Sequence, residues 1–174
     1  EVKIGYWVIN SVLDQINKWK IEGYTIVTSI NISAKQLQEE QFLYSLLNTL
    51  DKKDIDPSLL ELEILESSAL TNISYISKMI TEGKEHGLKF SLDDFGTGYS
   101  SLAYLRYLKV NTLKIDKNFV LDMLIDEDDY TILKGTIALA KTFNINVLAE
   151  GVETEELGNE LIKLGCYDAQ GYSI

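Results

Sequence analysis

Six short apolar runs, each ending near a polar residue, recur along the chain, and that rhythm limits its fold more than any other feature. The runs are Thr25–Ile32, Leu59–Leu65, Leu88–Asp93, Asn111–Ile115, Ile145–Glu150 and Tyr167–Gln170. Helix-period stretches lie between them at Lys35–Leu50, Asn72–His86, Ser100–Leu108, Phe119–Phe143 (broken inside) and Glu155–Leu164. A further predicted helix, Gly5–Lys20, precedes the first run, with Trp7, Ile9, Val12, Leu13, Ile16 and Trp19 as its expected buried stripe. Strands alternating with helices of this length imply βαβ crossovers and a parallel sheet.

Parity within the strands narrows the choice. Leu88, Phe90 and Leu92 share one face, and Lys89, Ser91 and Asp93 share the other. Ile26, Ile30 and Ile32 oppose Val27, Ser29 and Asn31. Leu113 and Ile115 oppose Lys114 and Asp116, and Val147 and Ala149 oppose Leu148 and Glu150. A doubly wound sheet covers both strand faces, so polar residues there would be costly. A (β/α) barrel instead lets its inner face turn polar at the C-terminal strand ends, where the site opens. A complete barrel uses eight units in about 250 residues. Six strands in 174 residues fit that spacing. The expected fold is therefore α/β, a modified TIM-type (β/α)8 barrel, incomplete here with about six βα units. Residues 1–174 are expected to form one partial domain, with the first strands and the extreme C-terminus missing.

Charge and cysteine content exclude several classes. The net charge is -11 and Arg106 is the single arginine, so no basic face is available for a nucleic acid polymer. A small phosphorylated ligand stays open, because divalent cations can supply positive charge locally. Cys166 is the only cysteine, which excludes an internal disulfide and a multi-thiolate zinc site; it is expected to be a small core residue. No apolar run reaches the ~18 residues of a membrane span, and a cytoplasmic location is expected. His86 is placed near a helix end. The run Asp126 to Asp129 is read as a solvated helix break.

The strand ends carry Asn31, Glu63, Asp93 with Asp94, Lys114, Glu150 and Gln170, at intervals of 32, 30, 21, 36 and 20 residues. In a barrel such positions converge on one mouth. Taken singly, a strand-end Asp is often a helix cap and a Lys a solvated rim charge. Clustered carboxylates raise one another's pKa unless a counter-charge is present, and one lysine is too little. All-oxygen ligands favour Mg2+ or Mn2+ over zinc, and two such ions sharing a carboxylate suit attack on a phosphodiester. The adjacent pair Asp93-Asp94 is suited to bridging.

Six stretches in order along the chain resemble the EAL family of cyclic di-GMP phosphodiesterases. They are Asn31 to Gln36 (Asn-Ile-Ser-Ala-Lys-Gln), Glu61 to Ser67, Asp93 to Leu102, Leu113 to Asp116, Ala149 to Glu153, and Gln170 to Tyr172. The resemblance implies hydrolysis of cyclic di-GMP to linear pGpG, with Mg2+ or Mn2+ in a two-metal site, in bacterial second-messenger signalling. It implies Asn31, Glu63 and Asp93 as ligands of one ion, and Asp93, Asp94 and Glu150 as ligands of the other. Lys114 would bind the attacking water, with Glu153 and Gln170 supporting the water and ligand side. Glu66 would order the Asp-Phe-Gly loop. A homodimer and an upstream sensory or GGDEF-type domain are implied as well.

The chain departs from the family pattern in three places. No Glu-Ala-Leu occurs, Leu65 stands where threonine is usual, and Lys109 where proline is usual. The resemblance makes the glutamate of that motif a metal ligand, and a two-metal site without it loses geometry and affinity, so the 174-residue piece alone is expected to be inactive. Two other readings are a degenerate EAL-type module that binds cyclic di-GMP or a partner without hydrolysis, and an enolase-like barrel abstracting a proton with carboxylates, Lys and Mg2+.

Overall fold

A computed structural model of the chain describes residues 2–96 and 104–174. The chain divides into two compact units, Glu1–Ser91 with Tyr107–Lys109, and Leu92–Arg106 with Val110–Ile174. The sheet has six strands in chain order. Among the described residues no helix is long and apolar enough to cross a membrane.

The first unit contains α1 (Val2–Ile21), β1 (Thr28–Ile32), α2 (Ala34–Leu37), α3 (Phe42–Lys52), β2 (Leu60–Leu65), α4 (Glu66–Leu70) and α5 (Ile73–Glu85). Helix α1 buries Ile9, Leu13 and Ile16, spaced four and three apart as one helical face requires. Trp7 lies off this stripe at 69% exposed and Trp19 is only half-buried, so the packed face is narrower than its apolar content suggests. Ile26 also departs from expectation: it lies ahead of β1 and is exposed.

The stretch expected as one helix, Lys35–Leu50, is two. Ser33 and Gln36 form a capping box that starts α2, and the chain leaves the helix at Gln38 before α3 begins. Leu37 and Phe42 are both fully buried. Five residues apart, they would sit on opposite sides of an unbroken helix, and the interruption lets both face the core. Helix α5 starts on Asn72, whose side chain accepts from the Tyr75 N–H, and ends on exposed His86.

Strand β3 (Lys89–Phe95) begins in the first unit and ends in the second. Residues 97–103 lie outside the described residues, and with them Ser100, Ser101 and the start of the helix expected at Ser100–Leu108. Its end is α6 (Leu105–Leu108). Lys109 follows with φ +49, in the left-handed region. Lys84 donates from Nζ to the Lys109 carbonyl at 2.7 Å, and Ser77 donates from Oγ to the Tyr107 carbonyl. A proline ring cannot reach this φ, so the unusual residue at 109 accompanies a backbone that proline would forbid.

The second unit continues with β4 (Thr112–Ile115), α7 (Lys117–Asp122), α8 (Glu127–Thr142), β5 (Asn146–Glu150), α9 (Glu155–Leu164) and β6 (Asp168–Gln170). Strands β4 to β6 pair in parallel. Ile115, Val120, Leu133, Ile137, Ala149, Leu157 and Cys166 fill its core. Cys166 is the small core residue expected, and burial pushes its thiol pKa up. The acidic run 126–129 does more than interrupt a helix. Asp126 accepts from the N–H groups of Asp128 and Asp129 to cap α8, and the other three acids occupy the helix's positive end. Thr154 caps α9 and Gly165 ends it, at the boundaries the sequence indicates.

Candidate functional site

In the second unit, three successive strand ends meet through their side chains. The end of β3 carries Asp93 and Asp94, β4 carries Lys114, and β5 ends on Glu150. The Lys114 Nζ lies 3.2 Å from Asp93 Oδ1 and 2.8 Å from Glu150 Oε1, with all three side chains largely buried. One oxygen from each of Asp93, Asp94 and Glu150 lies within 4.8 Å of the other two. The sequence-expected pair of acids, the lysine and the distant glutamate are thus brought together.

Two features show that this cluster is short of positive charge. Asp93 Oδ1 is buried and receives no hydrogen bond, although it is within ion-pair distance of Lys114, so the ammonium does not aim a proton at it. Asp94 is part-exposed, yet its carboxyl pKa is raised above the ordinary value. Burial is the largest cause, followed by the charges of Asp93, Asp116 and Glu150, with Lys114 opposing. Asp94 also has φ +55, an uncommon backbone state for an L-residue other than glycine. That turn redirects the chain immediately after Asp93 and lets two consecutive acids serve one cluster, where alternation along a straight strand would separate them.

Asp116 was not singled out by its sequence. It is 8% exposed and accepts from both the backbone N–H and the side-chain amide of Asn118, at 2.9 and 2.6 Å, at the start of α7. The available signal was parity: Asp116 stands two residues after Lys114, just past the end of β4.

Gln170 pairs in register with Glu150 and is exposed. Together with exposed Glu153 it lines a pocket of about 390 Å³, completed by Lys117, Gly151, Gly171 and Tyr172. Two glycines permit these walls. A Cβ on Gly151 (φ +72) would lie 2.6 Å from Lys117 Cβ, and one on Gly171 would lie 2.0 Å from the Val152 carbonyl oxygen. Val152 in turn donates its N–H to the Gln170 carbonyl at 3.0 Å and accepts from Ser173.

In the first unit, Asn31 and Glu63 are direct register partners on β1 and β2, with Glu63 buried and Asn31 exposed. Glu66 is 2% exposed at the first position of α4, a helix too short to leave a periodic signal. Leu65, immediately before it, is exposed.

Fold and site together define an α/β protein of the partial TIM-barrel class with a carboxylate–lysine cluster at its strand ends. Comparison with known proteins assigns it more closely: the EAL domain family model matches residues 1–174, and the chain belongs to that family. It is 36% identical over 98% of its length to the signaling protein YkoW of Bacillus subtilis, covering 21% of that protein. It is 37% identical over 98% of its length to MucR of Pseudomonas aeruginosa, a bifunctional diguanylate cyclase/cyclic di-GMP phosphodiesterase, covering 25%. A solved cyclic di-GMP complex of the PaMucR phosphodiesterase superimposes with a TM-score of 0.91 at 37% identity, across 98% of this chain and 69% of that one. The chain thus spans about a quarter or less of these two curated relatives.

Proposed function

We propose that the protein is a metal-dependent phosphodiesterase that opens cyclic di-GMP to linear pGpG. The observation that carries this reading is the cluster of Asp93, Asp94 and Glu150 around Lys114, with its unsatisfied buried oxygen. Similarity to MucR, named as a cyclic di-GMP phosphodiesterase, supports the substrate.

The all-oxygen donor set fits Mg2+ or Mn2+. Asn31, Glu63 and Asp93 would hold one ion, and Asp93, Asp94 and Glu150 the other. Bound there, such ions supply Lewis acidity to the phosphoryl oxygens and help activate water. The residues themselves do the positioning. The Lys114 ammonium donates hydrogen bonds, so it holds the attacking water by its oxygen and keeps its lone pair toward phosphorus. Glu153 and Gln170 line the pocket beside Gly151, and would orient water and ligand. Glu66 would order the Asp-Phe-Gly loop. Water adds to phosphorus, the bond from phosphorus to the 3′ oxygen breaks, and the proton lost by water is balanced by the one the 3′ oxygen gains.

The test uses the full-length protein, cyclic di-GMP, and Mg2+ or Mn2+, with products separated by chromatography. Formation of pGpG that is abolished by Glu150→Ala supports the proposal. Tight binding of cyclic di-GMP without product would make the domain a non-hydrolysing sensor. Absence of both binding and product would refute the substrate.

A further inference from the structure

We propose that Lys117 is a substrate-binding residue that holds the phosphate which is not cleaved, an inference that rests on the function proposed above. Cyclic di-GMP carries two phosphodiester charges, and one phosphate cannot occupy the carboxylate cluster while the other reacts there. The second phosphate needs a cation nearby in a chain whose net charge is -11. Lys114 is committed to Asp93 and Glu150. Lys117 is the only cationic residue lining the 390 Å³ pocket, and its ammonium has no ion-pair partner among the described residues.

Its position is built rather than incidental. Lys117 is the first residue of α7, which Asp116 caps, and its Cβ rests against the backbone of Gly151, immediately after Glu150. The glycine is required for that approach, since any Cβ at 151 would overlap it. The lysine stem is therefore anchored one residue from a carboxylate of the cluster, while its exposed side chain borders the pocket. A cyclic dinucleotide reaching across the rim presents one phosphate to the carboxylates and the other to Lys117. An ammonium–phosphate contact of this kind is long-reaching and salt-screened.

The test compares wild type, Lys117→Gln and Lys117→Arg in the full-length protein. Equilibrium binding of cyclic di-GMP is measured calorimetrically in EDTA, and turnover is measured with Mg2+, each at several salt concentrations. Lys117→Gln is expected to weaken binding and raise KM by about 10- to 100-fold, with kcat little changed. It should also flatten the dependence of binding on salt, and Lys117→Arg should restore most of both. Unchanged KM and affinity in Lys117→Gln, with wild type active, would overturn this inference and leave the proposed function standing. Weaker affinity with an unchanged salt dependence would also overturn it, since the contact would not be to a phosphate. Wild type that neither binds nor hydrolyses cyclic di-GMP would overturn both.

Discussion

Replacing Lys114 by methionine keeps the length of the side chain and removes its charge. The ammonium lies 2.8 Å from Glu150 Oε1 and 3.2 Å from Asp93 Oδ1, and the side chains are 9%, 21% and 12% exposed in the order Lys114, Glu150, Asp93. Without it, three carboxylates face one another with ligand oxygens no more than 4.8 Å apart. One such like-charge pair costs roughly 3 kcal/mol at an effective dielectric of about 20. Removing one partner of a buried ion pair typically costs a similar ~3–5 kcal/mol. About 3 kcal/mol is therefore expected at pH 7 without divalent cations, or roughly 6–12 °C in melting temperature for a chain of this size. Lys163→Met is the control. Lys163 pairs with Glu160 at 2.7 Å, as close as Lys114 does with Glu150, but its side chain is 70% exposed. Its loss should cost far less than that of Lys114, because water screens an exposed pair. Urea denaturation of both variants at pH 7 and near pH 4 checks the argument. The Lys114→Met penalty should shrink at the lower pH, where carboxylates begin to protonate. Equal costs for the two variants, or a Lys114→Met penalty that ignores pH, would refute the reasoning from burial.

Three other perturbations probe contacts elsewhere in the protein. Gly171→Ala sets a Cβ on the Val152 carbonyl and must open its bonds to Ser173, so a loss of about 2 kcal/mol is expected in urea titration. Lys109→Gly should stabilise by up to about 1 kcal/mol, and Lys109→Pro should destabilise by more than that, because only the glycine accepts φ +49 without strain. Tyr6 donates to Glu39 at 2.8 Å, and burial, then Glu39, raises its pKa from 10.0 to about 12. The folded state then binds the phenolic proton more tightly than the unfolded state. Stability from this group is whole below pH 10 and lost as pH rises toward 12. Tyr6→Phe should remove that part of the alkaline slope in denaturation curves taken from pH 9 upward.

Strand positions and the cluster at their ends were readable because a strand repeats every two residues and a barrel gathers its strand ends. Asp93, Lys114 and Glu150 could be picked out from where their apolar runs stop, and the structure brings them together. Other features arise from contacts between distant segments and leave little pattern in the chain. The split between α2 and α3 depends on Leu37 and Phe42 sharing a core, and α4 is five residues long. The left-handed turn at Asp94 falls on an ordinary acidic residue and has no glycine to announce it. Trp7 misled because its size suits a core, whereas its angular position on α1 faces water. The walls beside Lys117 depend on two close backbone approaches at Gly151 and Gly171, and a glycine in a sequence does not announce what it touches.

The ammonium between Asp93 and Glu150 also bears on the order of events in the protein's life. Many sites rich in carboxylates are unstable until a cation arrives, which ties folding to metal supply. Here part of the counter-charge is carried on β4 by the chain itself, so the second unit has a means of maturing first and being loaded afterwards. If the proposed ions bind there, chelation would stop the chemistry and leave a folded, reloadable protein, making cation availability a reversible control on activity rather than a requirement for survival.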